Sequence, residues 1–261
     1  MEQNNQEPVI VVEQLVAGYG ESVILDDVSF RVAPGELLAI VGGSGCGKST
    51  LLKYMIGLRR TRRGRVMIHG VDIMSADEVA LNRQRLEIGV LFQSDALIGS
   101  MTLAENVALP LQEHTDLDAP LISLLVKTKL AMVQLAGYEN HYPSELSGGM
   151  KKRAGLARAM ALDPTILFFD EPSTGLDPIT AGELYALIKN MNRIMRDTMI
   201  IITHDLDLVF TVADRVIMLD REKKGIIAEG APMALRQGGH DHRVHDFFNR
   251  KQAVVPAGYQ G

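Results

Sequence analysis

The sequence has no tryptophan, a single cysteine, and aromatic side chains at only 5% of its 261 positions. One cysteine, Cys46, can form neither an internal disulfide nor a cysteine zinc site, which is typical of proteins from a reducing compartment. The chain also has no apolar run near the ~18 residues that a membrane-spanning helix needs. Its first residues, Met1 to Glu7, lack the charged and apolar regions of a signal peptide, and we therefore expect a cytoplasmic location.

A strong excess of charge of one sign is also absent, since 27 lysines and arginines stand against 32 aspartates and glutamates. The resulting net charge of −5 argues against a dedicated nucleic-acid-binding protein. Apolar residues make up 46% of the chain and the 24 glycines follow no repeat, which excludes disordered and collagen-like proteins. A chain of this length can bury roughly 70% of its surface, so we expect a full apolar core.

Short, continuous apolar runs indicate strands that are buried on both faces of a sheet. Helical segments separate several of these runs. This alternation predicts an α/β fold with a largely parallel sheet, in which ligands bind at the carboxyl ends of the strands. The runs lie at residues 37–41, 88–91, 166–169, 199–203 and 216–219.

Two other regions depart from this alternation. Residues 9–12 and 28–32 predict two short strands separated by turns, and hence an antiparallel β subdomain at the N-terminal edge. Residues 102–162 offer no strong strand, and they open with a capping box formed by Thr102 and Glu105. We therefore predict an inserted helical subdomain at about 102–162.

The C-terminal part of the chain is more polar than the rest. We predict one domain over residues 8–236, which ends in a short helix at 232–236, and a tail over residues 237–261. Phe247 and Phe248 lie in that tail, and two aromatic residues so near a terminus suggest docking on a surface of this chain or of another. Our hypothesis is that they dock on a neighbouring subunit.

A glycine-rich segment follows the first buried run and precedes a helix predicted at 48–57. It matches the pattern G-x-x-x-x-G-K-[ST], in which backbone N–H groups turn inward around phosphates and the helix N-terminus adds its positive end. Lys48 would meet the outer phosphates and Ser49 could hold Mg²⁺. The segment therefore predicts a P-loop NTPase core. Its predicted nucleotide-binding residues are Gly42, Gly43, Ser44, Gly45, Cys46, Gly47, Lys48, Ser49 and Thr50.

Two acidic residues close a later apolar strand and would lie at the sheet edge that holds the phosphates. Asp170 would belong to the Mg²⁺ shell, and Glu171 is placed to polarise a water for attack on the γ-phosphate. His204 ends the next apolar strand, where it can contact that phosphate or orient the water and Glu171. A solvated acidic strand end and a structural histidine are the simpler interpretations in isolation, but the P-loop favours the catalytic one.

A second glycine-rich segment, residues 146–150, also precedes a predicted helix. Ser147 stands at its N-cap position, with Gly148 and Gly149 behind it, so this helix start is a second candidate anion site. An ordinary Ser-capped surface helix is the alternative. Because the chain has two such sites and one P-loop, we hypothesise that the second site serves the nucleotide of another chain.

These motifs together resemble those of the nucleotide-binding subunits of ABC transporters, over nearly all of residues 8–236. Four further matches support the resemblance, beyond the P-loop, the 146–150 segment and the acidic pair. Tyr19 resembles the aromatic residue that stacks on adenine, Gln93 the Q-loop glutamine, residues 173–177 the D-loop, and His204 the switch histidine.

The resemblance implies a head-to-tail homodimer in which ATP lies between the P-loop of one subunit and the 146–150 segment of the other. Hydrolysis would reopen the dimer. The resemblance also implies a role for each site residue. Ser147, Gly148 and Gly149 would contact the partner's ATP, and Ser49, Gln93 and Asp170 would bind Mg²⁺. Glu171 would be the general base, Lys48, Gln93 and His204 would make catalytic contacts, and Asp177 would couple the two ATP sites.

Three short segments narrow the resemblance to the Mla-type phospholipid-transport ATPases. Met150 stands where ABC signatures more commonly have glutamine, and residues 92–97 and 105–110 also resemble that subfamily. Asp95 departs from it, since a glycine is expected at this position. The resemblance implies an MlaE-type permease, an MCE-domain lipid-binding protein and a STAS-domain protein as partners. It also implies a place at the cytoplasmic face of the bacterial inner membrane, and phospholipid trafficking that maintains outer-membrane lipid asymmetry.

An ABC-type regulatory ATPase, coupled to a membrane partner without transport, would carry the same ATP motifs and stays open as the alternative. DNA-repair ABC ATPases carry a long coiled-coil insertion between the regions of Gln93 and Ser147, whereas only about fifty residues separate them here. A P-loop kinase is disfavoured because Glu171 beside Asp170 suits water activation.

Two further clusters, one of arginines and one of histidines, indicate a structural role rather than a binding site. The arginine-rich residues 59–65 predict a solvated loop. The histidines at 240, 242 and 245 have neither a cysteine nor matched carboxylates beside them, which favours a solvated tail over a metal site.

Overall fold

The computed structural model describes residues 7–61, 63–238 and 241–249, and within them the chain forms ten strands and nine α-helices. The strands are β1 (Ile10–Tyr19), β2 (Ser22–Val32), β3 (Leu37–Gly42), β4 (Arg65–Ile68), β5 (Val71–Asp72), β6 (Ile88–Leu91), β7 (Ile166–Asp170), β8 (Thr198–Ile202), β9 (Arg215–Asp220) and β10 (Gly225–Gly230). The helices are α1 (Lys48–Met55), α2 (Glu78–Leu86), α3 (Leu103–His114), α4 (Ala119–Met132), α5 (Gly148–Ala159), α6 (Pro178–Met195), α7 (Leu206–Val212), α8 (Pro232–Gln237) and α9 (His242–Phe248).

Six strands form the central sheet, in the order β10-β9-β3-β8-β7-β6. Every neighbouring pair is parallel except β9 and β10, which are antiparallel. All six residues of β3 are buried, as a continuous apolar run in the middle of such a sheet should be. The predicted α/β fold with a largely parallel sheet is confirmed.

Side chains of β3 alternate between two apolar clusters on opposite faces of the sheet. Leu38 and Ile40 pack with α1 and the antiparallel strands. Ala39 and Val41 pack with residues of α7, α8 and α9. The strand that leads into the P-loop is therefore supported by apolar contacts on both faces.

The N-terminal strands form one long antiparallel hairpin, so the prediction of two short strands was wrong about their length. The register pairs Ile10 with Val32 and Tyr19 with Ser22. Gly18, which belongs to the segment predicted as turns between the two strands, lies inside β1. A Cβ atom on Gly18 would stand 2.0 Å from the carbonyl oxygen of Ser22, so this glycine marks a close approach of the two strands.

The strands β4 and β5, which the sequence analysis did not predict, extend this hairpin into a four-stranded antiparallel sheet. Arg65 is the first residue of β4 and pairs with Glu13 of β1 at 2.6 Å. Arg60 pairs at 3.0 Å with a glutamate at the start of α2. Both arginines are nonetheless exposed, so these surface ion pairs do not contradict a solvated segment, although Arg65 lies in a strand rather than in a loop. Arg62 lies outside the described residues.

The stretch over 102–162 contains α3, α4, α5 and a short 3₁₀ turn at Pro143–Glu145. The predicted capping box is present at the start of α3. The backbone N–H of Glu105 donates to the hydroxyl of Thr102 at 3.2 Å, and the N–H of Thr102 donates to the Glu105 carboxylate at 2.7 Å. The bounds of the helical subdomain and of the 8–236 domain remain predictions.

Helix α9 corrects the hypothesis for the C-terminal aromatic pair. Phe247 and Phe248 are buried in the apolar cluster that contains Val41 of β3. Arg243 adds an ion pair with Asp220, at the end of β9, with an N–O distance of 2.7 Å. These phenylalanines therefore dock on their own chain, because the face of β3 and β9 opposite α1 provides an apolar surface for them.

The remaining prediction about the tail concerns its three histidines. His242 and His245 are exposed on α9, whereas His240 and residues 250–261 lie outside the described residues. In the described part of the chain, no group of three or more histidine, cysteine or acidic side chains is placed to hold a metal ion. None of the described helices is both long and apolar enough to cross a bilayer.

Candidate functional site

The P-loop lies between β3 and α1, at the carboxyl edge of the central sheet. Gly42 ends β3 with a φ of +148°, and a Cβ atom there would lie 2.4 Å from the carbonyl oxygen of Leu219. Gly47 has a φ of +107°, and its Cβ would lie 2.7 Å from the Leu25 side chain. Only glycine fits these two positions without strain or collision, so the loop can close tightly.

Helix α1 begins after Gly47, which has no side chain to cap it. The first backbone N–H groups of a helix have no partner within the helix and carry its partial positive charge. The Nζ atom of Lys48 lies inside the loop and donates to the carbonyl oxygens of Gly42 at 2.9 Å and Gly43 at 3.3 Å. The loop therefore combines an ammonium group with an uncapped helix start, and both features favour the binding of an anion.

Asp170 ends β7, beside Ile202 at the end of β8. Its Oδ1 atom is buried and has no hydrogen-bond partner among the described residues. Burial raises the pKa of this carboxyl group, the Glu171 carboxylate raises it further, and the Lys48 ammonium opposes both. Because β7 is separated from β3 by β8 alone, the end of β7 and the P-loop share one edge of the sheet. A buried carboxylate oxygen without a protein partner suits a hard cation.

Glu171 is held at the end of β8 by its backbone and by its side chain. Its N–H donates to the carbonyl oxygen of Ile202 at 2.8 Å. Its Oε2 atom lies 2.8 Å from Nδ1 of His204 and accepts from the Thr203 hydroxyl at 3.4 Å. The Glu171 side chain is 14% exposed and that of His204 is 68% exposed. The carboxylate is therefore fixed in place, while the histidine ring stays open to a ligand.

Tyr19, at the end of β1, is tied to helix α1. Its hydroxyl accepts from the Nζ atom of Lys53 at 3.5 Å. The neighbouring Thr50 side chain first, and Lys53 after it, lower the pKa of Tyr19. The guanidinium carbon of Arg59 lies 4.2 Å from the centre of the Tyr19 ring, within cation–π range. The half-exposed ring is thus held beside the P-loop helix, where the predicted adenine contact requires it.

Cys46 lies in the P-loop with its side chain turned into the protein. It is 2% exposed, and burial raises the pKa of its thiol. A Cβ atom on Gly42 would stand 2.6 Å from its sulfur. Cys46 therefore fills space beneath the loop, which is the packing role expected for a small side chain at this point.

The start of α5 is capped by the protein itself. The Ser147 hydroxyl accepts from the backbone N–H of Met150 at 3.3 Å. Ser147 and Gly148 are exposed, whereas Gly149 is buried and a Cβ atom on it would lie 2.3 Å from the Thr180 side chain. The predicted second anion site therefore packs on the start of α6 and presents its first residues to solvent.

The predicted D-loop is fixed at both ends. Asp177 caps α6 by accepting from the backbone N–H groups of Ile179 and Thr180, each at 3.1 Å, and from the Thr180 hydroxyl at 2.6 Å. These bonds, led by the hydroxyl, lower the pKa of Asp177. At the other end, the Ser173 hydroxyl donates to Asp205 at 2.7 Å.

Asp205 is a site residue that sequence reasoning missed. It directly follows His204, caps α7 through two backbone N–H groups, and accepts from the Tyr185 hydroxyl of α6. Burial first and this carboxylate second raise the pKa of Tyr185. Asp205 thus joins the D-loop, α6 and the histidine segment. An aspartate directly before a predicted helix is an N-cap signal that could have identified it.

Gln93 follows β6 and is exposed. Its carbonyl oxygen accepts from the Nζ atom of Lys152, a buried residue of α5 that the sequence analysis did not single out. The predicted site residues therefore fall into two groups. The P-loop, Asp170, Glu171 and His204 share the carboxyl edge of the central sheet, whereas the 146–150 segment packs against α6.

Comparison with known proteins agrees with this geometry. A family model described as "ABC transporter" matches residues 25–174. The "Probable ribonucleotide transport ATP-binding protein mkl" of Mycobacterium tuberculosis is 45% identical over 213 residues, which cover 82% of this chain and 59% of that protein. The chain thus spans less than two thirds of the length of this relative.

A second relative and a solved structure match over most of their length. The "Intermembrane phospholipid transport system ATP-binding protein MlaF" of Haemophilus influenzae is 42% identical over 240 residues, which cover 92% of this chain and 90% of that protein. The dimeric, post-hydrolysis structure of the ATP-binding cassette MJ0796, bound to ADP and Pi, has a TM-score of 0.76 at 30% identity. That match covers 85% of this chain and 98% of the other.

Proposed function

This chain belongs to the ABC transporter family, and on that premise we propose that it drives phospholipid movement between the inner and outer membranes of a bacterium. Membership makes it an ATP-binding subunit and an ATPase. The observation that carries the hydrolytic part of the proposal is the 2.8 Å contact of Glu171 with His204, at the sheet edge that also carries the P-loop.

ATP is the proposed ligand of the P-loop edge. Its phosphates would accept from the uncapped N–H groups at the start of α1 and from Lys48, replacing the loop carbonyls that the ammonium now contacts. Its adenine would stack on Tyr19. Tyr19 and the P-loop helix are already joined by the hydrogen bond from Lys53 to the Tyr19 hydroxyl.

Three residues are proposed to hold Mg²⁺ beside the phosphates: Ser49, Gln93 and Asp170. Their hydroxyl, amide and carboxylate oxygens suit this cation. The Oδ1 atom of Asp170, buried and without a hydrogen-bond partner among residues 7–61, 63–238 and 241–249, fits such a role. When bound, the ion would neutralise charge on the β- and γ-phosphates.

Glu171 is the proposed general base. Its carboxylate would take a proton from the attacking water, and the bond to His204 would keep it oriented during that transfer. Because the His204 ring is largely exposed, it can also donate to an oxygen of the γ-phosphate. Lys48 would stabilise the charge that develops on the departing phosphate.

The start of α5 is proposed to bind the nucleotide of a second copy of the chain, in a homodimer. Two observations support this. Its first residues are exposed although the helix is already capped by Ser147. The cassette MJ0796, which shares the fold, was solved as a dimer. Asp177, at the start of α6 beside this segment, would then couple the two ATP sites.

The phospholipid substrate is supported by relatives and by local sequence. MlaF, named for intermembrane phospholipid transport, matches along nearly the whole chain, whereas mkl carries a ribonucleotide transport name. Met150 and the 92–97 and 105–110 segments resemble the Mla-type ATPases. The proposed partners are an MlaE-type permease, an MCE-domain protein and a STAS-domain protein, at the cytoplasmic face of the inner membrane.

The test is purification of the tagged full-length chain from gently solubilised native membranes, followed by mass spectrometry of every protein and lipid that co-purifies. A permease with an MCE-domain protein and bound phospholipid is the expected result. A permease of another type would contradict the proposed substrate and leave the ATPase in place. A membrane partner without a bound substrate would favour the regulatory alternative.

Reconstitution adds a functional readout to that test. The purified complex, placed in vesicles with a fluorescent phospholipid, should exchange the lipid with acceptor vesicles only when ATP is present. The same complex with Glu171→Gln is the matched control, since it should bind ATP without turnover. Equal exchange by both complexes would contradict ATP-driven lipid movement.

A further inference from the structure

One face of α5 is occupied by the loop that carries Gln93. Three residues of the helix, Lys152, Gly155 and Arg158, follow each other at a spacing of three and so share that face. All three contact residues 93–96, which lead from β6 towards α3. The contacts are of two kinds, polar and steric.

The polar contacts use a lysine that is buried in the protein. The Lys152 side chain is 4% exposed, and its Nζ atom lies 2.7 Å from Oδ1 of Asp95 and donates to the carbonyl oxygen of Gln93. Arg158 donates to the carbonyl oxygen of Ala96. A buried ammonium group is stable only with such partners, so the loop and the helix depend on each other.

The steric contact explains a glycine in the interior of α5, where glycine weakens a helix relative to alanine. A Cβ atom on Gly155 would lie 2.8 Å from the carbonyl oxygen of Asp95 and 2.9 Å from the Leu91 side chain. The backbone of the loop therefore lies directly on the helix. Asp95 itself has a φ of +63°, a conformation that favours glycine, and the side chain present there pairs with Lys152.

We propose that Asp95, Lys152 and Gly155 are positioning residues that fix the Gln93 loop to the helix whose first turn carries Ser147. The inference rests on the proposed function, because it takes Gln93 as an ATP-site residue and Ser147 as a contact of the partner's nucleotide. A movement of α5 on contact with that nucleotide displaces Gln93 as well, since close-packed buried groups move together.

A pair of glycine variants tests the steric contact. Gly155→Ala pushes on the Asp95 backbone, whereas Gly182→Ala, inside α6, places its Cβ more than 4 Å from other atoms. Both changes favour the helix, so neither should lower the melting temperature through helix propensity. In the full-length chain, kcat should fall about fivefold in Gly155→Ala, with KM for ATP within about twofold, and stay unchanged in Gly182→Ala.

A pair of aspartate variants tests the ion pair. Asp95 and Asp163 both have positive φ and both pair with a buried lysine, Lys152 and Lys129 respectively. Asp95→Asn and Asp163→Asn should therefore both lower the melting temperature, Asp95→Asn by more, because the Asp163 side chain is 68% exposed and that of Asp95 19%. Only Asp95→Asn should lower kcat, by about tenfold, because only that pair touches the Gln93 loop.

Hydrogen exchange and one further variant separate this inference from the proposed role of Gln93. Backbone amides of residues 93–98 should exchange faster in Asp95→Asn and Gly155→Ala, and not in the two controls. Equal kcat losses in Asp95→Asn and Asp163→Asn, or wild-type kcat and exchange in both test variants, would overturn the inference. If the inference is overturned but Gln93→Ala still lowers kcat, the proposed role of Gln93 survives. If Gln93→Ala leaves kcat unchanged, that role fails too.

Discussion

The chain has two glycine-rich helix starts, and they are completed in different ways. Helix α1 begins after Gly47, which offers no cap, and the adjacent Lys48 bonds to carbonyl oxygens of its own loop. Helix α5 begins after Ser147, whose hydroxyl accepts from the backbone of Met150. Glycine content alone therefore does not predict what a helix start binds, because the cap decides which backbone N–H groups remain free to bind a ligand.

The residues around the two helix starts differ in the same way as the caps do: among the described residues, a group near α1 is left without a partner, whereas the start of α5 is capped and closely packed. Near α1, Asp170 has a buried oxygen that finds no hydrogen-bond partner in the described part of the chain, as a site that awaits a ligand should. Near α5, the cap is filled and the glycine behind it packs closely on Thr180. We therefore expect α1 to bind the phosphates of its own chain's nucleotide, and α5 to present a finished surface to another chain.

The largest effect should come from breaking the α1 start with Gly47→Ala. The added Cβ would lie 2.7 Å from the Leu25 side chain, and a φ of +107° strains alanine. We expect the Kd for a non-hydrolysable ATP analogue, measured by titration calorimetry, to rise about 100-fold. Gly45→Ala is the control, since its Cβ would contact nothing within 4 Å, and its Kd should rise about tenfold or less. Equal losses in both variants would contradict the steric account.

The next largest effect should come from adding charge to the α5 start. Aspartate and asparagine cap helices about as well as serine, so Ser147→Asp and Ser147→Asn should both keep α5 folded. Only the aspartate repels phosphate, and we expect it to lower ATPase activity about 30-fold while binding of ATP to the single chain is unchanged. A parallel loss of binding would mean that α5 serves the nucleotide of its own chain.

A smaller effect should show that the α1 edge is unfinished without ligand. Burial and Glu171 raise the pKa of Asp170, so its ionised form destabilises the ligand-free fold as pH rises through that pKa. In Asp170→Asn, the free energy of unfolding in urea should rise at pH 7 and should not rise below about pH 4, while ATPase activity is lost. A variant less stable than wild type at pH 7 would contradict this.

The smallest effect should come from removing the cap of α5. Ser147→Ala should lower the free energy of unfolding by about 1 kcal/mol, measured by urea denaturation, because one backbone N–H loses its acceptor. Unchanged stability would show that the cap contributes nothing, and the contrast with α1 would lose its structural basis.

The strands and the residues at their ends could be predicted from sequence because the signals are local. A continuous apolar run such as β3 fits only a strand covered on both faces, and parallel strands bring their carboxyl ends to one edge. That rule places Asp170 and His204 at this edge, whereas Lys48 follows from the G-x-x-x-x-G-K-[ST] pattern after β3. Tyr19 and Gln93 needed the family resemblance, because nothing in their neighbourhood marks them.

The contacts that depend on distant parts of the chain could not be predicted. Lys152 stands in a basic stretch and looks like a surface residue, and its burial is explained by two distant partners, Asp95 and the carbonyl oxygen of Gln93. Gly18 looks like a turn, but its role depends on how closely β1 and β2 approach. Phe248 packs on a surface built by β3 and β9, which are distant from it in sequence. The sequence alone therefore could not distinguish docking on this chain from docking on another.

The most direct test of the two helix starts is the mass in solution of the Glu171→Gln chain with Mg²⁺ and ATP, measured by light scattering after gel filtration. We predict a species of twice the 28.6 kDa of one chain with ATP, and a single chain without it. Adding Ser147→Asp should abolish the larger species without preventing ATP binding. A single chain under all conditions, or a dimer that survives Ser147→Asp, would contradict a site shared between two copies.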